Sequence, residues 1–152
     1  MRSDLPIALP LNLFIDYDDP LGVDADQAAA DVGVFQVPYK CEVVQAGLMI
    51  TETSEGDTTK GVVDFDKRPT CGSDTDRGDG DIGHFVMGTT SAGKVLYDKV
   101  AIGTVLYPGD EVVVQLSTAA TGTNKAGHFR PFLLVQHIPE VVANLSDMVE
   151  TA

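Results

Sequence analysis

The chain has 152 residues, of which 43% are hydrophobic, 22% charged and 7% aromatic, a composition that fits one compact domain and excludes disorder, collagen and coiled coil. A domain of this length buries roughly 70% of the surface its unfolded chain exposes, so neither a disulfide nor a metal is needed for marginal stability. Ten Lys and Arg stand against 23 Asp and Glu, a formal net charge of −13 with no basic stretch, and this argues against nucleic acid and anionic membrane as partners.

The first residues carry one cation, Arg2, followed by Asp4 and by prolines at 6 and 10, which is not the basic region and apolar core of a secretory signal. No apolar run approaches the ~18 residues of a membrane span. Synthesis in a cytoplasm is therefore expected. There Cys41 and Cys71, which fit no metal-ligand or redox spacing, are read as reduced thiols.

From residue 5 to 17 every odd position is apolar: Leu5, Ile7, Leu9, Leu11, Leu13, Ile15 and Tyr17. Pro6 and Pro10 cannot donate to a ladder, so this segment is an edge strand or an extended arm. Residues 24–31, alanine-rich with an acidic first turn and ended by Gly33, read as a short helix or a loop. A short strand follows at 34–37. Residues 39–53 make a long strand rich in β-branched side chains, expected to bend near Gly47. In 62–67, Val63 and Phe65 face one side and Asp64 and Asp66 the other. Strands at 83–87, 94–100 and 103–107 follow, the second with Val95 and Tyr97 pointing inward. Residues 110–116 alternate clearly, with Val112, Val114 and Leu116 on one face. Residues 128–138 are apolar on both faces and belong in the middle of a sheet.

Turn chemistry at 55–57, 88–93, 108–110 and 121–127 separates these runs, so the chain is all-β with about eight to ten strands, arranged as an antiparallel β-sandwich. Beyond Pro139, Val141, Val142, Leu145, Met148 and Val149 fall on one helical stripe. The organisation is thus an N-terminal arm and acidic lead-in over 1–33, a sandwich over 34–138, and a tail or short helix over 139–152. The apolar ends either fold back on their own domain or reach a neighbouring subunit. On the second reading the partner-binding residues are Leu5, Ile7, Leu9, Leu11, Leu13 and Ile15 in the arm, with Val141, Leu145 and Met148 in the tail.

Candidate chemistry is sparse. Residues 88–94 (GTTSAGK) have the glycine and lysine spacing of a phosphate-binding loop, but Val95 stands where a magnesium-binding Ser or Thr is required and a strand follows instead of a helix. The segment is read as a hairpin loop. Asp74, Asp76, Asp79 and Asp81 gather four carboxylates beside glycines 72, 78 and 80, and such a loop is either a solvated acidic loop or a calcium site. It lacks the glycine and glutamate positions of an EF-hand. A second acidic cluster, Asp16, Asp18, Asp19, Asp24 and Asp26, has the same two readings. Arg77-Gly78-Asp79 and Asn144-Leu145-Ser146 match short recognition and glycosylation patterns that occur often by chance. His84, His128 and His137 are scattered over separate strands with no ligand spacing, and no nucleophile elbow occurs. Cupin and nucleotide-pyrophosphatase signatures are missing, so the chain is expected not to be an enzyme and to need no cofactor, calcium aside.

From about Tyr39 onward the chain resembles the small jelly-roll proteins of tailed bacteriophages that decorate or cement the capsid exterior. The resemblance lies in Arg68-Pro69-Thr70 leading into the Gly/Asp loop, in Asp81-Ile82-Gly83, in residues 106–114 (LYPGDEVVV), and in Gly127-His128-Phe129 running to Pro131-Phe132-Leu133-Leu134-Val135. It implies a jelly-roll sandwich, often a trimer, seated where subunits of the major capsid protein meet and holding the shell against internal pressure. Its place would be the outside of the virion. No site residues come with it, because these are strand-and-turn phrases. A different class, a receptor- or glycan-binding head-fibre or tail module using the acidic loop for calcium, is weakened by the absence of Trp; only Tyr17, Tyr39, Tyr97, Tyr107 and six Phe offer aromatic platforms.

Overall fold

The computed structural model describes residues 11–13, 15, 17–68, 81–98 and 102–139. The described residues form ten strands and no helix: β1 (Leu11–Leu13), β2 (Val23–Asp24), β3 (Ala30–Gln36), β4 (Cys41–Glu55), β5 (Val62–Arg68), β6 (Asp81–Val86), β7 (Val95–Asp98), β8 (Val105–Leu106), β9 (Glu111–Thr118) and β10 (Ala126–His137). They make two antiparallel sheets stacked as a sandwich. One has the order β1-β10-β4-β7, with β2 also on β10 and β8 also on β4; the other runs β3-β9-β5-β6.

Alternation decides what each strand buries. Val112, Val114 and Leu116 of β9 and Val63 and Phe65 of β5 enter the core as their period predicts. There the rings of Phe35, Phe65 and Phe85 meet at 5.9 and 5.2 Å between centroids. β10 is central, between β1 and β4, and buries Phe129, Leu133 and Val135. Against it β4 carries extra residues at three register shifts. At the one near Val44 the buried phase changes: Cys41 and Val43 face inward before it, Ala46, Leu48 and Ile50 after it. These irregularities lie to either side of Gly47, where a bend was expected, and Gly47 itself pairs in register with Phe132 and Tyr97.

Several expectations change. Of the two readings of the alanine-rich segment the loop holds: residues 25–29 form a turn and an irregular stretch between β2 and β3, with Ala25 fully buried and its N–H bonded to the Gly127 carbonyl at 2.8 Å. A helix this short has little stability of its own, and the ladder with β9 outweighs alanine's propensity. β7 turns its faces the other way from the sequence reading. Leu96 packs on the core because it lies opposite inward-facing Leu48, so Val95 and Tyr97 point outward. The 88–94 segment is not a hairpin loop, since it joins β6 in one sheet to β7 in the other. Its backbone is fastened at buried Ser54, whose hydroxyl donates to the Gly88 carbonyl at 3.0 Å and accepts from Thr90 N–H at 3.1 Å.

Candidate functional site

The phase change in β4 points Gln45, Gly47 and Met49 away from the core. Register then sets their neighbours: Leu134 beside Gln45, Phe132 and Tyr97 on the two sides of Gly47, and Arg130 and Val95 on the two sides of Met49. Residues directly opposite one another in an antiparallel pair share a face. Three cross-strand rows thus form an apolar outer surface on β10, β4 and β7. The middle row depends on glycine. A Cβ on Gly47 would lie 2.5 Å from Cζ of Phe132 and 2.5 Å from the Leu96 carbonyl oxygen, so the Phe132 ring covers the bare backbone. Tyr97 meets that ring edge-on, with centroids 6.1 Å apart. Tyr97 is 57% exposed and Met49 46%.

The N-terminal flank builds the side wall. β1 pairs with β10 at residues 133–135 and β2 at 128–129, and among the described residues none pairs with that edge of β10 at Pro131, a residue with no N–H to offer a neighbouring strand. Ile15 and Tyr17 lie between these two strands in the chain and close one side of a groove of about 370 Å³. Gly22, at φ 92°, returns the chain to β10 so closely that a Cβ there would sit 2.4 Å from the Phe129 carbonyl oxygen. Arg130, whose guanidinium donates to the Pro20 carbonyl, is the one charged residue among the described residues lining the groove. The Tyr17 hydroxyl is buried and has no hydrogen-bond partner among the described residues. Burial pushes its pKa far above the usual phenol value, against the opposing pull of Arg130, so it stays a neutral donor.

Elsewhere two histidines sit among acids. Nδ1 of His128 is 2.5 Å from Glu52 and Nε2 is 3.4 Å from Asp19, which ties β10 to β4 and to the turn before β2. Nδ1 of His84 is 2.5 Å from Asp64, and the His84 N–H donates to Asp98 at 2.8 Å. Part of the second acidic cluster is thereby gathered near His128, while a side-chain hydrogen bond with Asp24 raises the Asp26 carboxyl. The acids at His128 approach opposite ring nitrogens and do not converge. Among the described residues no group of three or more His, Cys, Asp or Glu has the arrangement to hold a metal ion.

Of the residues singled out from sequence, Leu11 and Leu13 lie in β1 opposite Val135 and Leu133. Ile15 packs on the core of its own domain and presses against Gly33, where a Cβ would meet its Cδ1 at 2.6 Å. Leu5, Ile7, Leu9, Val141, Leu145 and Met148 lie outside the described residues, as do Asp74, Asp76 and Asp79 of the acidic loop and the tripeptide at 77–79. Asp81 begins β6, opposite Asp66. Cys41 is a free, buried thiol whose pKa burial raises to about 11, with Asp110 adding to the effect. His128 and His137 share β10 and are not on separate strands. The groove itself was not anticipated. Its one trace in the sequence is a glycine in the middle of a long apolar strand, a sign of close approach by another group. No protein-family model matches the chain, and no curated protein or solved structure matches it.

Proposed function

We propose that the chain is a jelly-roll structural protein of the virion: a decoration or cement protein that binds the major capsid protein on the outer surface at subunit junctions, as a homo-oligomer and most simply a trimer. The jelly-roll reading draws support from the strand pairing. With β1 and β2 counted as one strand, because both pair with β10, and two-residue β8 set aside, the first strand pairs with the eighth, the second with the seventh, the third with the sixth and the fourth with the fifth. That fold also serves lectins and cupins, so function is argued from surfaces and not from topology.

The observation that carries the functional reading is the anchoring of the N-terminal flank. Leu11–Leu13 is held antiparallel to β10 at the rim of the sheet, so Leu5, Ile7 and Leu9 are tethered within six residues of a rigid platform. A tethered apolar segment pays less ordering entropy on docking than a free one. If it covers a few hundred Å² on a capsid subunit, the gross gain is on the order of 10 kcal/mol, reduced by association costs. Repetition over a symmetric shell turns a modest remainder into high occupancy.

Co-sedimentation with shells assembled from the major capsid protein of the same genome tests this reading. The full chain is expected to pellet with the shells, and a chain lacking residues 1–10 is expected to stay in the supernatant with its β circular-dichroism spectrum unchanged. Equal pelleting of the two would remove the arm from the mechanism, and failure of the full chain to pellet would remove the capsid.

A further inference from the structure

We infer that the groove on the outer face of β10, β4 and β7 is a binding site for a small amphipathic carboxylate, with a medium-chain acyl or comparably sized apolar body. Three independent features point to this ligand class. The volume of about 370 Å³ lies within the range of small-molecule sites, and the walls contributed by Met49, Phe132, Leu134 and Tyr97 are apolar. In a chain of net charge −13 the one charged side chain among the described residues lining the groove is a cation, Arg130, which complements an anion. Arg130 gives one N–H to the Pro20 carbonyl, and a guanidinium carries five. The third feature is the Tyr17 hydroxyl, a buried donor with no partner among the described residues, which feels the charge of Arg130. A group in that condition normally has one, and an acceptor such as a carboxylate oxygen would answer the donor and the cation alike. Among the described side chains lining the groove none is solely an acceptor, so they offer a cationic headgroup no anionic counterpart. This site is separate from the arm and does not depend on the capsid reading.

Titration of the full-length protein with decanoate, followed by calorimetry, tests the proposal, with decanol as the neutral counterpart. Saturable binding of decanoate at or below about 1 mM is expected, with decanol at least tenfold weaker. Arg130→Gln is expected to weaken decanoate about tenfold and to leave decanol unchanged. Tyr17→Phe separates ligand recognition from folding: it removes an unsatisfied buried hydroxyl, so the melting temperature of the ligand-free protein should hold or rise while decanoate binding weakens several-fold. Equal affinity for decanoate and decanol, or unchanged decanoate binding in Arg130→Gln, would overturn the proposal. So would binding that emerges only when residues 140–152 are removed, which would give the groove to the chain's own C-terminal segment. Loss of binding through concentration-dependent self-association would give it to a second copy and overturn the proposal equally.

Discussion

On its outward face the six-stranded sheet presents Met49, Val95, Tyr97, Phe132 and Leu134 around Gly47, whereas the four-stranded sheet presents Asp64, Asp66, Arg68, His84, Glu111 and Gln115 with Val62, Val86 and Val113 among them. The inward faces do not differ in kind, since both contribute aliphatic and aromatic side chains to one core. On the polar face, charges are answered within the sheet: Arg68 bonds Glu111, and His84 bonds Asp64. On the apolar face aromatic side chains are left against solvent. Period-two patterning therefore specifies the core twice over, while the outward composition decides which face is complete by itself and which is available to something else.

The largest effects test the shared half of that comparison. Leu48→Ala in one sheet and Phe65→Ala in the other should each lose about 3–5 kcal/mol by denaturant unfolding, because both side chains are fully buried. A loss below about 1 kcal/mol at either position would mean that its sheet does not rest on the common core.

The sequence displayed this core well where polar residues mark the alternation. β5 and β9 carry Asp64, Asp66, Glu111 and Gln115 on their outward faces, so Val63, Phe65, Val112, Val114 and Leu116 had one possible side. In β7 the run Val95, Leu96, Tyr97 is apolar at each position, and periodicity cannot choose between the two faces. Pairing of Leu96 with Leu48 chooses, which is a long-range fact. The groove was hidden for the same reason. Its rows combine residues from strands that are distant in sequence, two rows from three strands and one from two, and their alignment depends on the extra residue near Val44. At 24–31 the loop and not the helix forms, because ladders claim Asp24 on β10 and Ala30 onward on β9 and the five residues between are too few to sustain a helix.

Gly47→Ala is the sharpest probe of the apolar face. In an ordinary strand interior this change gains about 0.5–1 kcal/mol. Here the added methyl meets the Phe132 ring and the Leu96 carbonyl, so a loss of about 1–3 kcal/mol is expected, and the sign alone shows whether the ring covers the glycine.

Cys41 extends the test to high pH. Its folded pKa is raised to about 11 from an unfolded value near 9, so the unfolded state loses its proton first. The thiol's contribution is complete below pH 9 and is lost as pH rises through 11, by an amount on the order of 2 kcal/mol. Unfolding free energies of the wild type and Cys41→Ala at several pH values should converge over that window. A constant difference between them would remove the linkage.

Smaller effects belong to the outward faces and should differ in kind. Arg68→Ala, on the polar face, removes a partly exposed ion pair with Glu111 and should cost under about 1 kcal/mol, a loss that shrinks in high salt. Met49→Ser combined with Tyr97→Ser, on the apolar face, should also change stability by no more than about 1 kcal/mol, since both side chains are about half exposed and the main loss is one edge-on contact with Phe132. That loss should not respond to salt, and the variant should elute earlier from a hydrophobic-interaction column. A loss above about 2 kcal/mol would have the opposite meaning: the face would already be covered in the free protein, because exposed side chains cannot supply that much stability by themselves.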